Sequence, residues 1–158
     1  MPGVPKAPRA PRVRIGVVVS RFHDDITGQL LHGALRTLRR AGVRDGAIEV
    51  VHVPGAFEIP LAAQALASSG RVGAIICLGC VIRGETPHFE YISSACAHGI
   101  IDAAARTGVP MSFGVLTTNT VDEATARAGD GPENKGEEAA HAALDMAALV
   151  LGLKRRGR

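Results

Sequence analysis

The chain alternates between short β-branched runs and longer segments whose apolar residues recur at helical spacing. The first run is VRIGVVVS at 13–20, and further runs follow at 47–53, 72–82 and 111–118. Runs without polar alternation are typical of strands buried on both faces. Strands that alternate with helices predict βαβ units and a parallel sheet covered by helices. We therefore predict an α/β three-layer sandwich with a four-stranded parallel sheet, flavodoxin-like in type.

The helical segments have start and stop signals. The spacing predicts helices over 26–38, 59–67, 87–105, 121–128 and 135–151, and glycines end the first three at Gly42, Gly70 and Gly108. Asp24 or Asp25 is expected to cap the first helix. Thr86 is expected to cap the third, with Pro87 at the first helical position, where a missing N–H costs nothing.

Length and the distribution of charge predict which part of the chain forms the folded domain. A length of 158 residues favours one domain, which we assign to 13–153. Residues 1–12 form an expected disordered basic tail, and 154–158 a second basic tail. All 15 acidic residues lie between the basic ends. Residues 15–153 have ten Lys and Arg residues against these 15 acids, so only the ends carry excess positive charge, and we predict no nucleic-acid partner.

The sequence also argues against a membrane or metal protein. The longest uncharged apolar stretch, 72–82, is much shorter than the about 20 residues that a membrane helix needs. The chain has three cysteines, which fit a reducing, cytoplasmic location. Cys77 and Cys80 form a C-x-x-C pattern, but residues three apart in a strand point to opposite faces and no second pair completes a zinc site. We expect buried thiols and no metal.

Polar turns follow each strand, and two of them contain glycine: SRFHDD, VPGAFE, CVIRGETPH and LTTNT. The carboxyl ends of parallel strands meet at one edge of a sheet, where α/β proteins bind ligands. GETPHFE at 84–90 opens a helix, whose free N–H groups and positive dipole end favour an anion such as phosphate. A helix cap without a ligand explains the same residues equally well. No P-loop is present, so a nucleoside triphosphate is not expected.

Several side chains near these turns suit catalysis or binding. His88 lies in the first turn of that helix, where the dipole disfavours the imidazolium form and a neutral ring can transfer protons; a surface histidine is the alternative. Glu58 either caps its helix or binds a polar ligand. Phe22, Phe57 and Phe113 suggest a stacking surface for a flat heterocycle, although aromatic residues at strand ends are usually core. Arg127 offers a planar fork suited to phosphate, or is simply a solvated charge.

With these residues assembled, the chain resembles the lumazine synthases of riboflavin biosynthesis from residue 13 to residue 151. The resemblance rests on these motifs: RF at 21–22, VPGAFEIP at 53–60, GCVIRGETPHFEYI at 79–92, FGVLTTNT at 113–120 and NKGEEAA at 134–140. It implies condensation of 5-amino-6-(D-ribitylamino)uracil with 3,4-dihydroxy-2-butanone 4-phosphate. The product is 6,7-dimethyl-8-ribityllumazine, phosphate and water are released, and no cofactor is used.

The resemblance also implies residue roles. His88 would transfer protons, Phe22 would stack on the pyrimidine, and the phosphate would be held by Glu85, Thr86 and Arg127. The remaining substrate-binding residues would be Ala56, Phe57, Glu58, Cys80, Val81, Ile82, Phe113 and Lys135. Phe113, Arg127 and Lys135 would come from a neighbouring subunit of a homopentamer, which some members build into a sixty-subunit shell; a decamer is a further possibility.

Two departures from the family pattern and two rival functions remain. Position 23 is His, where many members have Asn after RF. The loop AGDGPENKG at 128–136 lacks the form associated with the shell-forming members that the chain resembles. A flavin- or pterin-binding module without catalysis would also use the aromatic residues. A shell or scaffold protein whose basic tails hold acidic cargo is the third hypothesis.

Overall fold

A four-stranded parallel sheet forms the centre of the molecule. The computed structural model describes residues 12–158, so the expected disordered tail at 1–12 lies almost wholly outside the described residues. The strands are β1 Ile15–Ser20, β2 Ile48–Val53, β3 Ala74–Ile82 and β4 Met111–Thr118. Their order in the sheet is β2-β1-β3-β4, and every pair is parallel. The predicted α/β fold with four strands is confirmed.

Five helices cover the two faces of this sheet. They are α1 Asp24–Arg40, α2 Ile59–Ser68, α3 His88–Thr107, α4 Val121–Ala128 and α5 Lys135–Arg156. One buried apolar cluster joins the sheet to α1, α4 and α5, and a second joins it to α2 and α3. Cys77 belongs to the second cluster and Cys80 to the first. The prediction that these two thiols point to opposite faces is therefore confirmed.

The layers approach closely because small residues line the contacts. A Cβ built on Gly136 of α5 would lie 2.0 Å from the backbone oxygen of Leu30 in α1. Ala139, Ala140 and Ala143 continue the same buried face of α5. The two helices therefore pack backbone to backbone at this point, which no larger side chain would allow.

The side-chain caps expected at the starts of α1 and α3 are wrong, whereas Gly42, Gly70 and Gly108 follow α1, α2 and α3 with positive φ, as expected. His23, not an aspartate, is the N-cap residue of α1, and Asp24 and Asp25 lie in the first turn, where their charges complement the helix dipole. Pro87 takes the N-cap position of α3, and no side chain, including Thr86, caps that helix. Glu58 is at the N-cap position of α2 but makes no capping hydrogen bond.

The last helix is longer than its periodicity predicts. α5 continues past residue 151 to Arg156, so Lys154, Arg155 and Arg156 form its last turn. We assigned these residues to a separate basic tail. Positive charges at a helix C-terminus interact favourably with its negative dipole end. This interaction stabilises the helical conformation of these residues.

Candidate functional site

A cleft of about 660 Å³ opens at the carboxyl edge of the sheet between β1 and β3. The chain leaves β1 toward one side of the sheet, to β2, and leaves β3 toward the other side, to β4. The two connections diverge and leave a crevice between them, which is the usual ligand position in open α/β sheets. The first cleft therefore arises from the strand order itself.

Most of the predicted site residues line this first cleft. Its walls come from the turn after β1, the turn after β2, the end of β3 and the start of α3. The predicted residues that line it are Phe22, Ala56, Phe57, Glu58, Cys80, Val81, Ile82, Thr86 and His88. Glu85 is exposed next to Thr86 but is not among the lining residues.

Two phenylalanines in the first cleft are unusually exposed. The side chains of Phe22 and Phe57 are 66% and 60% exposed. The ring of Phe22 meets the ring of His23 edge-on, with centroids 4.5 Å apart. His23 has a left-handed backbone with φ 59°, a conformation that is costly for a residue with a side chain and that often marks functional sites. Open aromatic faces of this kind suit stacking on a planar ligand.

The start of α3 supplies hydrogen-bond donors beside these rings. The N–H groups of Glu90 and Tyr91 donate to the oxygen of Pro87. The preceding N–H groups of His88 and Phe89 have no backbone acceptor within the described part of the chain. Together with the positive end of the helix dipole, they favour an anion at this corner of the cleft. His88 is exposed and lies next to these donors.

Arg83 holds this corner in place, a role that no motif in the sequence indicates. Its guanidinium lies 4.5 Å from the ring centroid of Phe89 and donates 2.8 Å to Oδ1 of Asn119. It also pairs with Glu90, and the hydrogen bond from Arg83 lowers the pKa of that carboxyl. The contacts join the end of β3, the first turn of α3 and the turn after β4.

The cysteines are buried thiols, as predicted. Cys77, Cys80 and Cys96 are all free and buried. Loss of solvation raises the pKa of Cys80 to about 11, and nearby Asp25 acts in the same direction. Cys80 therefore contributes apolar surface to the cleft and not a thiolate nucleophile.

Three other predicted residues, Phe113, Arg127 and Lys135, line a second cleft of about 270 Å³ along the edge strand β4. The two clefts share no lining residue. Phe113 was expected near the carboxyl edge of the sheet, and this is wrong. It pairs with Cys77 near the start of β4, and Phe89 takes the third aromatic position in the first cleft.

The two cations of the second cleft keep donors available. Nη1 of Arg127 donates 2.9 Å to the oxygen of Glu123 in its own helix, which leaves the rest of the guanidinium fork open. Nζ of Lys135 lies 2.7 Å from the carboxylate of Glu138. Both side chains are positioned by the segment between α4 and α5.

The segment between α4 and α5 is held by Asn134 and Arg36, which were not among the predicted site residues. Asn134 is 2% exposed and caps α5 by accepting from the N–H of Glu137 at 3.1 Å. Arg36 of α1 pairs with Glu137 and Asp130. Asn134 stands three residues before a glutamate at the helix start, a recognisable capping pattern that predicts part of this role.

The described residues offer no metal site and no membrane span. Within residues 12–158, no three His, Cys, Asp or Glu side chains are close enough together to hold a metal ion. None of the five helices combines the length and apolar character that crossing a bilayer requires.

The fold and the first cleft define a flavodoxin-like α/β protein with a ligand site at the point where its strand order reverses. The sequence profile of the 6,7-dimethyl-8-ribityllumazine synthase family matches residues 12–150. The chain belongs to this family. It is 52% identical over 138 residues to the 6,7-dimethyl-8-ribityllumazine synthase of Syntrophus aciditrophicus, covering 87% of this chain and 90% of that protein.

A second relative gives the same result. The chain is 53% identical over 137 residues to the 6,7-dimethyl-8-ribityllumazine synthase of Salinibacter ruber, covering 87% of this chain and 88% of that protein. A solved structure, described as the ABC domain in complex with L-Trp from Streptococcus pneumonia, aligns with a TM-score of 0.43 and 19% identity over 90% of this chain and 41% of that one. A likeness at that level carries no argument about this protein.

Proposed function

We propose that this chain condenses 5-amino-6-(D-ribitylamino)uracil with 3,4-dihydroxy-2-butanone 4-phosphate to form 6,7-dimethyl-8-ribityllumazine in riboflavin biosynthesis. Family membership over residues 12–150 supports the activity. One feature of the fold supports it most: exposed aromatic rings, a histidine and the amide groups at the start of α3 converge in a single cleft. This combination suits a flat heterocycle placed beside a phosphorylated carbonyl compound.

The reaction needs orientation more than strong acid–base chemistry. The primary amine of the pyrimidine attacks the ketone carbonyl, and an imine forms with loss of water. Phosphate then leaves by elimination. The second nitrogen attacks the remaining carbonyl, which closes the ring with loss of another water. Both substrates are reactive by themselves, so we assign most of the acceleration to their alignment in the cleft. His88 transfers protons between the reacting nitrogen and oxygen atoms.

We assign binding roles by position. Phe22 stacks on the pyrimidine, and Phe57, Glu58 and Ala56 hold the pyrimidine and its ribityl chain. The backbone of Cys80, Val81 and Ile82 borders the same region. Thr86 and Glu85, at the start of α3, hold the phosphorylated substrate, and Arg127 pairs with its phosphate.

The functional unit in this proposal is an oligomer, because Arg127, the proposed phosphate ligand, lies outside the first cleft. Phe113, Arg127 and Lys135 line the second cleft, and a second copy of the chain can bring that surface to the first cleft. Exposed apolar side chains on α2, α3 and α5 support such a contact. Leu61 and Tyr91 are 76% and 73% exposed on the side of α2 and α3, and Leu149 and Leu153 are 52% and 55% exposed on α5.

A homopentamer follows from the family resemblance, and its further assembly into a decamer or sixty-subunit shell is open to measurement. Native mass spectrometry at micromolar protein gives the answer directly. A monomer at working concentration contradicts the oligomeric proposal. The free thiols fit a reducing compartment, and we propose a cytoplasmic location on that basis.

The activity is tested by mixing both substrates with purified protein and following lumazine absorbance. We expect turnover with the unmodified chain and a fall of about 10²-fold in kcat for His88→Ala, without loss of the fold. His141→Ala is a matched control, because His141 is exposed on α5 and lines neither cleft. A yellow complex with added flavin but no product would favour the binding-module alternative. Unchanged kcat for His88→Ala would remove the proton-transfer role.

A further inference from the structure

The segment that joins α4 to α5 connects two cations of the second cleft, of which Arg127 is the proposed phosphate ligand. Arg127 lies in the last turn of α4, and Lys135 is the first residue of α5. Both line the second cleft. Both side chains are long, that of Arg127 exposed and that of Lys135 half-buried, so the direction in which they reach depends on how firmly the backbone under them is held.

A single buried amide holds both ends of this segment. Nδ2 of Asn134 donates to the backbone oxygens of Ala128 at 2.8 Å and Gly129 at 3.2 Å, just after Arg127. Oδ1 of the same side chain accepts from the N–H of Glu137 at 3.1 Å, just after Lys135. Asn134 thus links the end of α4 to the first turn of α5 through one planar group.

Helix α1 leaves space for the Asn134 amide and supplies one of its hydrogen-bond acceptors. A third donation from Nδ2 reaches the oxygen of Gln29 at 3.4 Å. A Cβ on Gly33 would lie 2.4 Å from Oδ1 of Asn134, so only glycine leaves room there. Asn134 is 2% exposed, and its donor and acceptor atoms both have partners. A buried, fully bonded polar group of this kind fixes local geometry more strongly than apolar packing does.

We propose that Asn134 is a positioning residue that fixes Arg127 and Lys135 relative to each other and so sets the affinity for the phosphorylated substrate. This inference rests on the proposed function, in which Arg127 pairs with the phosphate from a neighbouring subunit; Lys135 lines the same second cleft, and we assign it to the same substrate here. Asn134 itself does not line the second cleft. Asparagine is suited to the role because it combines donor and acceptor atoms in one short side chain.

Asn134→Ser separates positioning from simple helix capping. Serine is a good N-cap, so the variant keeps an acceptor for α5 and loses the donor that ties down the end of α4. We expect KM for the phosphorylated substrate to rise by about 10-fold or more, because small misplacements of binding groups are costly. KM for the pyrimidine should stay within about twofold, since it is bound in the first cleft. Competition by inorganic phosphate should weaken in parallel.

Thr120→Ala is the matched control for lost capping. Thr120 caps α4 by accepting from the N–H of Glu123, at the end of that helix remote from Arg127, and it lines neither cleft. We expect this variant to lose stability without changing the ratio of the two KM values. Equal rises in both KM values for Asn134→Ser, or the same change in Thr120→Ala, would show a merely structural role and overturn the proposal.

The double variant distinguishes this inference from the function on which it rests. In an Arg127→Ala background, Asn134→Ser should add little to KM for the phosphorylated substrate, since one of the groups it positions is absent. If Arg127→Ala alone leaves that KM unchanged, the proposed phosphate role fails. If Arg127→Ala raises it and Asn134→Ser does not, the positioning role fails while the proposed function stands. Far-UV circular dichroism confirms folding of each variant.

Discussion

Replacing a glycine by alanine should have opposite effects at two positions of this fold. At Gly136 the added Cβ would lie 2.0 Å from the backbone oxygen of Leu30, whereas real Cβ contacts essentially never fall below 3.0 Å. Helix α5 must therefore shift by about 1 Å from α1, since backbone cannot rotate away as a side chain can. At Gly28, in α1, an added Cβ meets nothing within 4 Å.

The expected changes in the free energy of unfolding follow from the surroundings of Gly136 and Gly28. Overpacking costs about 1–3 kcal/mol, and the rigid obstacle places Gly136→Ala at the upper end. The better helix propensity of alanine returns up to about 1 kcal/mol, so the net loss is about 2 kcal/mol. In a chain of this size that lowers Tm by about 4–8 °C. Gly28→Ala has only the better helix propensity of alanine, which raises the free energy of unfolding by up to about 1 kcal/mol.

Thermal unfolding followed by circular dichroism measures both effects. The protein concentration must be the same for every variant, because association makes Tm depend on concentration. Gly28→Ala is the matched control, being the same change inside a helix. A Gly136→Ala variant that is as stable as Gly28→Ala would refute the close backbone contact between α1 and α5.

Two further predictions concern titration and a third concerns backbone strain. Because the pKa of Cys80 is raised to about 11, its labelling by a thiol reagent at pH 8 should be at least about 10²-fold slower than that of a free thiol and should accelerate on unfolding. The hydrogen bond from Arg83 lowers the pKa of Glu90, so its stabilising effect is present above the unfolded pKa of about 4.5 and is lost as the pH falls through the lowered value. Arg83→Gln should therefore flatten the fall in stability below pH 5, and an unchanged acid profile would contradict this pairing. His23→Gly should relieve a left-handed backbone with φ 59° and raise Tm, while His23→Val should lower it; equal Tm values would argue against strain.

The sequence predicts the sheet and its helices well because burial on both faces leaves a strong local pattern. The run at 13–20 has no polar alternation, and the strand β1 is buried throughout. Helix caps were harder to predict, because they depend on backbone angles that a pattern does not contain. His23 takes a left-handed conformation, so the chain enters α1 one residue earlier than an aspartate cap would place it.

The sequence predicts individual candidate site residues. The positions of the strand ends do not show that these residues divide between two clefts. Phe113 lies near the start of β4, and its distance from Phe22 depends on sheet register. Buried polar links such as Asn134 to Ala128 depend on tertiary contacts. Only the capping half of that role has a local signal, the glutamate three residues on.

Mixing two impaired variants, at a concentration of the phosphorylated substrate well below the raised KM of Arg127→Ala, tests most directly whether each active site is shared between two chains. His88→Ala damages the first cleft, and Arg127→Ala damages the second. Co-assembled in equal amounts, they place an intact first cleft against an intact second cleft at about one quarter of heterologous interfaces. The account predicts recovery of about a quarter of full activity. Activity that stays at the average of the two separate variants would contradict it.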